Sequence, residues 1–319
     1  MTGARPTFRH GLQEVADGVY AYLQPDGGWG WSNASLVTSG RTALLIDTLF
    51  DLKLTAAMLA EMAPLLGADG IETVVNTHAN GDLCWGNQLL RSATIVASNG
   101  TAEEMRDGMQ PGQLAAIKAD PKAFGPPGAF LAQVFAPFDF GDITVIPPSV
   151  TFERELRLHV GLRELRLVAV GPAHTLGDTL AWLPAERVLF TGDIVFNGSH
   201  PIVWNGPFSN WRAALDLIVK LDPEVVVPGH GPVTDVNGAL TMRRYFDELT
   251  AEVRRRFDAG QAVGEAGMDI TLEGFEHWGE SERLAANVEQ LYREFGGEPS
   301  APAMAMAVAM ARRAASPNS

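Results

Sequence analysis

The chain has 319 residues, of which 46% are hydrophobic, and its 24 basic and 38 acidic side chains leave a formal net charge of −14. This length and apolar content suffice for one large domain with an appendage, while the negative charge argues against nucleic acid and anionic membranes as partners. The single cysteine excludes an intrachain disulfide, and the lack of a signal-like start or a membrane-length apolar run predicts a cytoplasmic protein.

A glycine-rich stretch near the start of the chain carries two tryptophans, Trp29 and Trp31, which are a candidate flexible flap. Further along, residues 52–66 have apolar side chains at helical spacing and predict a helix.

Four short apolar runs each precede a turn that contains histidine or aspartate. The runs are 73–76, 167–170, 188–190 and 225–227, and their composition is typical of buried strands. Metal ligands need only project toward one point, so the turns predict one shared cavity.

The other segments are simpler. Residues 101–109 predict a helix whose acidic pair, Glu103 and Glu104, is solvated, and 124–138 predicts an irregular segment near the mouth of the cavity. Residues 140–158 alternate as an antiparallel strand pair would, and 211–220 is helical.

The composition changes after His230, which divides the chain into three parts. Residues 1–240 are expected to form the main domain, 241–296 a helical extension, and 297–319 a flexible tail or an arm that packs on a neighbouring subunit. Within that last part, 303–313 is a candidate short helix with a face of three methionines, Met304, Met306 and Met310, although the tail or arm is favoured.

The first turn reads T-H-A-N-G-D-L-C-W-G-N and resembles the metal-binding turn of the metallo-β-lactamase superfamily, T-H-x-H-x-D-H-x-x-G-N. The later turns resemble the family's G-H-T-x-G, L-x-x-G-D and P-G-H-G. Residues 32–37 and 42–48 resemble the strands of its opening hairpin, the second of which ends in L-L-I-D-T. The resemblance covers about residues 15–240. It implies an α/β fold of the αββα sandwich type, with two sheets face to face and helices outside, here with a C-terminal helical extension.

The resemblance also implies a thinned metal site. Five of the family's seven ligand positions are matched, while Asn80 and Leu83 replace two imidazoles. One half-site would comprise His78, His174 and Asp193, with Asn80 as a weak oxygen ligand, and the other would comprise Asp82, Asp193 and His230. Zinc is the expected ion, and iron or manganese would also suit the mixed ligands. We expect one ion per chain, or two of which one is bound weakly. A metal-free protein that kept the cavity is the alternative.

Cys84 and five aromatic residues near the motifs complete the candidate site. Cys84 is either a thiolate ligand or a small buried apolar residue. The aromatic side chains are expected to line an apolar pocket, although large aromatics also fill cores, as we expect of Trp182 and Trp211. No cluster of basic residues in these loops would hold a phosphate. The pocket residues are Trp29, Trp31, Trp85, Phe196 and Trp204.

These patterns predict a metal-dependent hydrolase of an ester, thioester, lactone or amide in a small apolar or aromatic substrate. Asp82 and His230 are the expected catalytic residues, the first acting on water and the second as ligand or proton donor. The alternatives are a Lewis-acid cyclase or thioesterase of the aromatic polyketide type and a non-catalytic binding protein. The expected partner is a small molecule, without nucleic acid or membrane, and the chain is a candidate homo-oligomer.

Overall fold

The structure, a computed structural model, describes residues 8–298 and 301–316, so part of the start that was searched for a signal lies outside the described residues. The strands are β1 Gly11–Ala16, β2 Val19–Leu23, β3 Ala34–Ser39, β4 Thr42–Ile46, β5 Ile71–Val75, β6 Thr94–Ser98, β7 Val150–Phe152, β8 Glu155–Val160, β9 Arg163–Ala169, β10 Thr179–Leu183, β11 Val188–Phe190 and β12 Val225–Val227. The helices are α1 Leu52–Met62, α2 Gly81–Cys84, α3 Asn99–Asp107, α4 Pro111–Ala119, α5 Gly125–Val134, α6 Phe208–Leu221, α7 Val236–Asp258, α8 Val263–Asp269, α9 Arg283–Gly296 and α10 Ala303–Ala314. Short 3₁₀ turns occur at Ala63–Leu65, Trp85–Leu90, Pro121–Phe124 and Gly192–Ile194.

The strands form two sheets. In the seven-stranded sheet the order follows the chain from β1 to β7, antiparallel up to β4 and parallel from β4 onward. The five-stranded sheet has the order β12-β11-β10-β9-β8, in which only β11 and β12 are parallel. Strands β9, β11 and β12 therefore run in the same direction, and their carboxyl ends lie at one edge.

An apolar layer joins the two sheets face to face. The larger sheet contributes side chains such as Val37 and Val75, and the smaller one contributes Leu167, Phe190 and Val227. Successive strand residues point to opposite faces, so every second apolar side chain enters this layer. The remaining apolar side chains of the strands point outward and bind helices.

Helices cover the outer face of each sheet. Asp51 caps the start of helix α1, because its carboxylate accepts a hydrogen bond from the backbone N–H of Leu54, and the helix packs Met58 and Met62 onto the larger sheet. Helices α6, α7 and α9 cover the smaller sheet and enclose Trp182. The predicted αββα sandwich with C-terminal helices is confirmed. None of the helices in the described ranges is long and apolar enough to cross a membrane.

Two middle segments differ from the expectation. Residues 124–138 contain helix α5, because Pro126 and Pro127 lie in its first turn, where a missing N–H leaves no hydrogen bond unmade. Residues 140–158 do not form a strand pair, since β7 pairs with β6 in one sheet and β8 with β9 in the other. Alternating polarity marks a strand but does not identify its neighbour.

The C-terminal part also differs from the expectation. The expected boundary at residue 240 falls inside α7. Over the expected flexible tail, Ala303–Ala314 is a helix whose Met306 and Met310 are fully buried, while residues 299–300 and 317–319 lie outside the described residues. Residues four apart share one face of a helix, so both methionines pack into the same cluster, beside Phe130 and Ala286.

Candidate metal centre and its cavity

Four strand ends carry the predicted ligand side chains to one edge of the sandwich. His78 follows β5, His174 follows β9, Asp193 lies in the turn after β11, and His230 follows β12. Each of these side chains is at most 3% exposed. The common direction of β9, β11 and β12 explains why residues far apart in sequence meet here.

The carboxylate of Asp193 is the centre of the cluster. Its Oδ2 lies 3.2 Å from His174 Nε2, 3.5 Å from His230 Nε2 and 3.8 Å from His78 Nε2. One ligand atom each from His78, His174 and Asp193 lies within 4.8 Å of the others. The three side chains are therefore close enough to hold one ion.

Hydrogen bonds fix the orientation of the imidazoles. His174 Nδ1 donates to the Ile202 carbonyl at 2.7 Å, and His230 Nδ1 donates to the Gly27 carbonyl at 3.1 Å. His78 Nδ1 lies 3.1 Å from the Thr77 hydroxyl, which itself donates to Asp47 at 2.8 Å. In every case Nδ1 is occupied and Nε2 faces Asp193, as in histidines that bind metals.

Two buried atoms at the centre have no partner among the described residues. They are His78 Nε2 and Asp193 Oδ1, and an unpaired buried polar atom is costly. A Cβ on Gly229 would lie 2.0 Å from Asp193 Oδ1, so the backbone passes directly beside this carboxylate. Imidazole and carboxylate donors aimed at one point fit a zinc-type ion.

The remaining predicted pair, Asp82 and His230, lies beside this cluster. Asp82 Oδ2 is 3.2 Å from His230 Nε2. His230 thus contacts two carboxylates, Asp82 and Asp193, whereas Asp82 is not part of the three-residue group. The two predicted half-sites therefore differ: His78, His174 and Asp193 form a compact ligand group, and Asp82 lies outside it.

Burial and Asp193 compete in setting the proton affinities of the imidazoles. Burial lowers the pKa of His78 to about 4. For His174 and His230 burial also acts downward, but the Asp193 carboxylate outweighs it and raises the pKa, to about 10 for His230. Burial opposes ionisation of Asp193, yet the three imidazoles hold its pKa well below the usual range. An ion held by His78, His174 and Asp193 must displace the proton of His174, so its binding should weaken in acid.

The positions that depart from the family pattern serve other contacts. Asn80 Nδ2 lies 3.4 Å from His174 Nε2 and so reaches the rim of the cluster. Leu83 is fully buried, and its carbonyl accepts from Thr48 and Asn76. The Cys84 thiol donates to the Ala79 carbonyl, and burial raises its pKa well above the usual range, so Cys84 is a neutral residue of an aromatic cluster.

A cavity of about 410 Å³ opens onto the cluster. Four of the five predicted pocket residues line it: Trp29, Trp85, Phe196 and Trp204. Trp31 is not among the lining residues and packs against Phe138, with ring centroids 4.8 Å apart. Only Gly30 stands between Trp29 and Trp31 in the chain, yet only Trp29 is among the lining residues.

The structure adds two charged lining residues that the sequence did not single out as site residues. Glu104 was expected on a solvated helix face, yet its carboxylate accepts the Leu176 N–H and the Asn205 amide and lines the cavity. Arg283 reaches the cavity from α9, more than fifty residues beyond the last motif. A charged residue that interrupts the buried face of a helix is the sequence signal that would have marked Arg283.

Known proteins resemble this chain in sequence. A sequence model described as the metallo-beta-lactamase superfamily matches residues 27–230. The 2,4-dinitroanisole O-demethylase subunit alpha of Nocardioides sp. (strain JS1661) is 34% identical over 88 residues, which are 27% of this chain and only 26% of that protein.

Solved structures share the fold. A stereoselective inverting sec-alkylsulfatase from Pseudomonas sp. has a TM-score of 0.64 at 18% identity, over 90% of this chain and 50% of that chain. A metallo-beta-lactamase family protein from Thermus thermophilus has a TM-score of 0.64 at 18% identity, over 89% of this chain and 95% of that chain. At this level of identity the similarity shows the fold alone.

Proposed function

Because this chain belongs to the metallo-beta-lactamase superfamily, we propose that it is a metal-dependent hydrolase of a small substrate with an aromatic or apolar part. The scissile bond would be an ester, thioester, lactone or amide. The observation that carries the proposal is the group His78, His174 and Asp193, which borders an aromatic cavity. Within this group, His78 Nε2 and Asp193 Oδ1 have no hydrogen-bond partner among the described residues.

The donor set favours one zinc-type ion, with iron or manganese as substitutes. Such an ion, when bound, supplies Lewis-acid polarisation of a carbonyl and acidifies water. His78, His174 and Asp193 would hold it. Leu83 offers no donor atom where the family has an imidazole, which leaves the Asp82 side without a full ligand set.

In the proposed reaction, Asp82 and His230 transfer protons. Both line the cavity, and they face each other at 3.2 Å. In this proposal the Asp82 carboxylate accepts a proton from the attacking water. His230, held at Nδ1 by the Gly27 carbonyl, donates a proton from Nε2 to the departing group.

The cavity wall argues for the substrate class. Trp29, Trp85, Phe196 and Trp204 give it apolar, planar surfaces, and its volume of about 410 Å³ suits a small molecule. Aromatic substrates gain offset or edge-to-face ring contacts with such walls.

The test begins with the metal content of protein purified without chelator. Turnover is then measured with an ester, a thioester, a lactone and an amide: phenyl acetate, S-phenyl thioacetate, dihydrocoumarin and acetanilide. We expect about one ion per chain, and products whose combined mass exceeds that of the substrate by one water. Asp82→Asn should keep the ion yet lose roughly 10²–10⁴-fold in turnover, because it removes only a proton acceptor. Protein without metal would support a binding protein instead, and product of unchanged mass would support a cyclase.

A further inference from the structure

The cavity contains one buried cation that the proposed reaction does not use. Arg283 is the first residue of α9, it is 2% exposed, and it lines the same cavity as Asp193 and His230. Arginine is rarely buried without a charged partner, because its desolvation is costly.

The guanidinium has little hydrogen bonding within the protein. Arg283 Nη1 donates to the His200 carbonyl at 2.9 Å, whereas Nε is buried and has no acceptor among the described residues. Its Cζ lies 4.2 Å from the ring centroid of Trp29 and 5.5 Å from that of Phe196. Aromatic faces stabilise the cation but do not satisfy its N–H groups.

The nearby carboxylates do not neutralise Arg283. None of the ion pairs among the described residues, taken to 4.0 Å, includes its guanidinium. Glu282 accepts instead from Trp29 Nε1 at 2.6 Å, and Glu280, whose pKa burial raises, exerts only a long-range attraction. The cation therefore faces the cavity without a close counter-charge.

A second buried arginine shows the contrasting arrangement. Arg313 donates to the Gly267 carbonyl at 2.8 Å and to the Ile270 carbonyl at 2.9 Å, and it does not line the cavity. It ties α10 to α8 and the residue that follows, which is a structural role. The Arg283 guanidinium makes one such hydrogen bond, to the His200 carbonyl, and Arg283 lines the cavity.

We propose that Arg283 binds a carboxylate of the substrate, so that the enzyme acts on small aromatic acids that carry a hydrolysable bond. The planar fork matches a carboxylate with two parallel hydrogen bonds, and the Trp29 and Phe196 faces hold the attached ring. The Phe196 ring also stacks on His230, with centroids 5.2 Å apart, so one aromatic side chain separates the anion site from the metal cluster. This inference rests on the proposed function for the identity of the cavity as the substrate site.

The experiment measures binding rather than turnover. Metal-free protein, prepared with chelator, is titrated with phenylacetate, the anion of phenylacetic acid, and with the neutral amide phenylacetamide. The two compounds have the same shape and differ in charge. Tryptophan fluorescence reports binding, because Trp29 lies against Arg283. We expect phenylacetate to bind at least about tenfold more tightly than the amide, as a charge-assisted pair provides.

Variants assign the preference to Arg283. Arg283→Met should reduce it to less than roughly twofold, Arg283→Lys should give an intermediate value because it keeps a cation without the fork, and Arg313→Lys is the matched control with the preference intact. Circular dichroism and metal content are measured on each protein.

Two results would overturn the inference. They are equal binding of acid and amide by the unmodified protein, whatever the variants do, and a folded Arg283→Met or Arg283→Lys protein with the full preference. Failure of the proposed hydrolysis is seen separately, since it would appear as absent metal or absent turnover while the binding titrations still give their result.

Discussion

A chain of hydrogen bonds holds the imidazole of His78. Asp47 accepts from the backbone N–H of Thr77 at 2.7 Å and from its hydroxyl at 2.8 Å, and burial raises the pKa of Asp47 well above its usual range. The Thr77 hydroxyl, having donated its proton, accepts from His78 Nδ1. The family resemblance marked the segment that contains Asp47, but only the structure shows what the Asp47 carboxylate does.

Thr77→Val should weaken ion binding without changing the number of ions. The valine keeps the shape of the threonine but leaves His78 Nδ1 without an acceptor, and losses of about 10–100-fold in affinity are typical for such supporting residues. Competition with a coloured chelator measures the affinity. Thr55→Val, at a buried threonine bonded to Leu49, is the control and should bind the ion as the unmodified protein does.

Asp193→Asn and Asn80→Ala should have opposite effects. Asp193 contacts His78, His174 and His230, so loss of its charge should give a folded, metal-poor and inactive protein. Asn80 provides only a neutral amide at the rim, and its alanine variant should remain loaded. Circular dichroism reports folding, elemental analysis reports metal content, and turnover of the ester phenyl acetate reports activity. An active, loaded Asp193→Asn protein would place the working ion elsewhere.

Among the elements, α10 has the largest difference between expectation and structure. Its alanine-rich sequence has high helix propensity, and Met306 and Met310 give it a buried face against α5 and α9. Ala303, its first residue, lines the cavity. A segment expected to be mobile thus closes one side of the proposed substrate site.

Truncation of the buried face should detach α10. Met306→Ala and Met310→Ala should each cost about 2–5 kcal/mol, as large-to-small changes in cores do. Met304→Ala, at a side chain 62% exposed, should change stability by less than about 0.5 kcal/mol. Urea denaturation gives the stabilities, and limited proteolysis shows whether the C-terminal helix opens first. Equal protease resistance of all three variants would mean that α10 does not depend on its methionines.

For the whole molecule, acid should be destabilising partly through His200. Burial, with help from Arg283 and Arg313, lowers the pKa of His200 to about 3. Its Nδ1 lies 3.0 Å from the Tyr245 hydroxyl, which links the loop after β11 to α7. Below its ordinary pKa of 6.5 the unfolded chain takes up a proton that the folded chain refuses until about pH 3. Stability must therefore fall as the pH is lowered through this window.

His200→Asn should remove that contribution, since asparagine preserves a polar partner for Tyr245 but does not titrate. Between pH 6 and 4.5 the free energy of unfolding of the unmodified protein should fall more steeply, by up to about 1.4 kcal/mol per pH unit. Urea titrations at several pH values on metal-free samples measure both slopes. Parallel slopes would show that His200 is protonated in the folded protein.

Local sequence determined the strands that carry the site. Residues 188–190 and 225–227 are β11 and β12 with no change of boundary, because short β-branched runs between turns have few other low-energy conformations. The turns that follow them have the composition of a metal site, so the identity of the candidate ligands was also present in the sequence.

Tertiary structure decided which side chains face the cavity and which polar groups have no partner there. Nothing in the order of residues shows that Trp29 lines the cavity while Trp31 packs against Phe138. Nor does it show that Glu104 accepts the Leu176 N–H, or that Arg283 lines the cavity from a distant helix. These outcomes depend on how helices pack on the sandwich, and such contacts join residues far apart in the chain. Sequence patterns report the local conformation, whereas the burial of a charge without a partner exists only once the chain has folded.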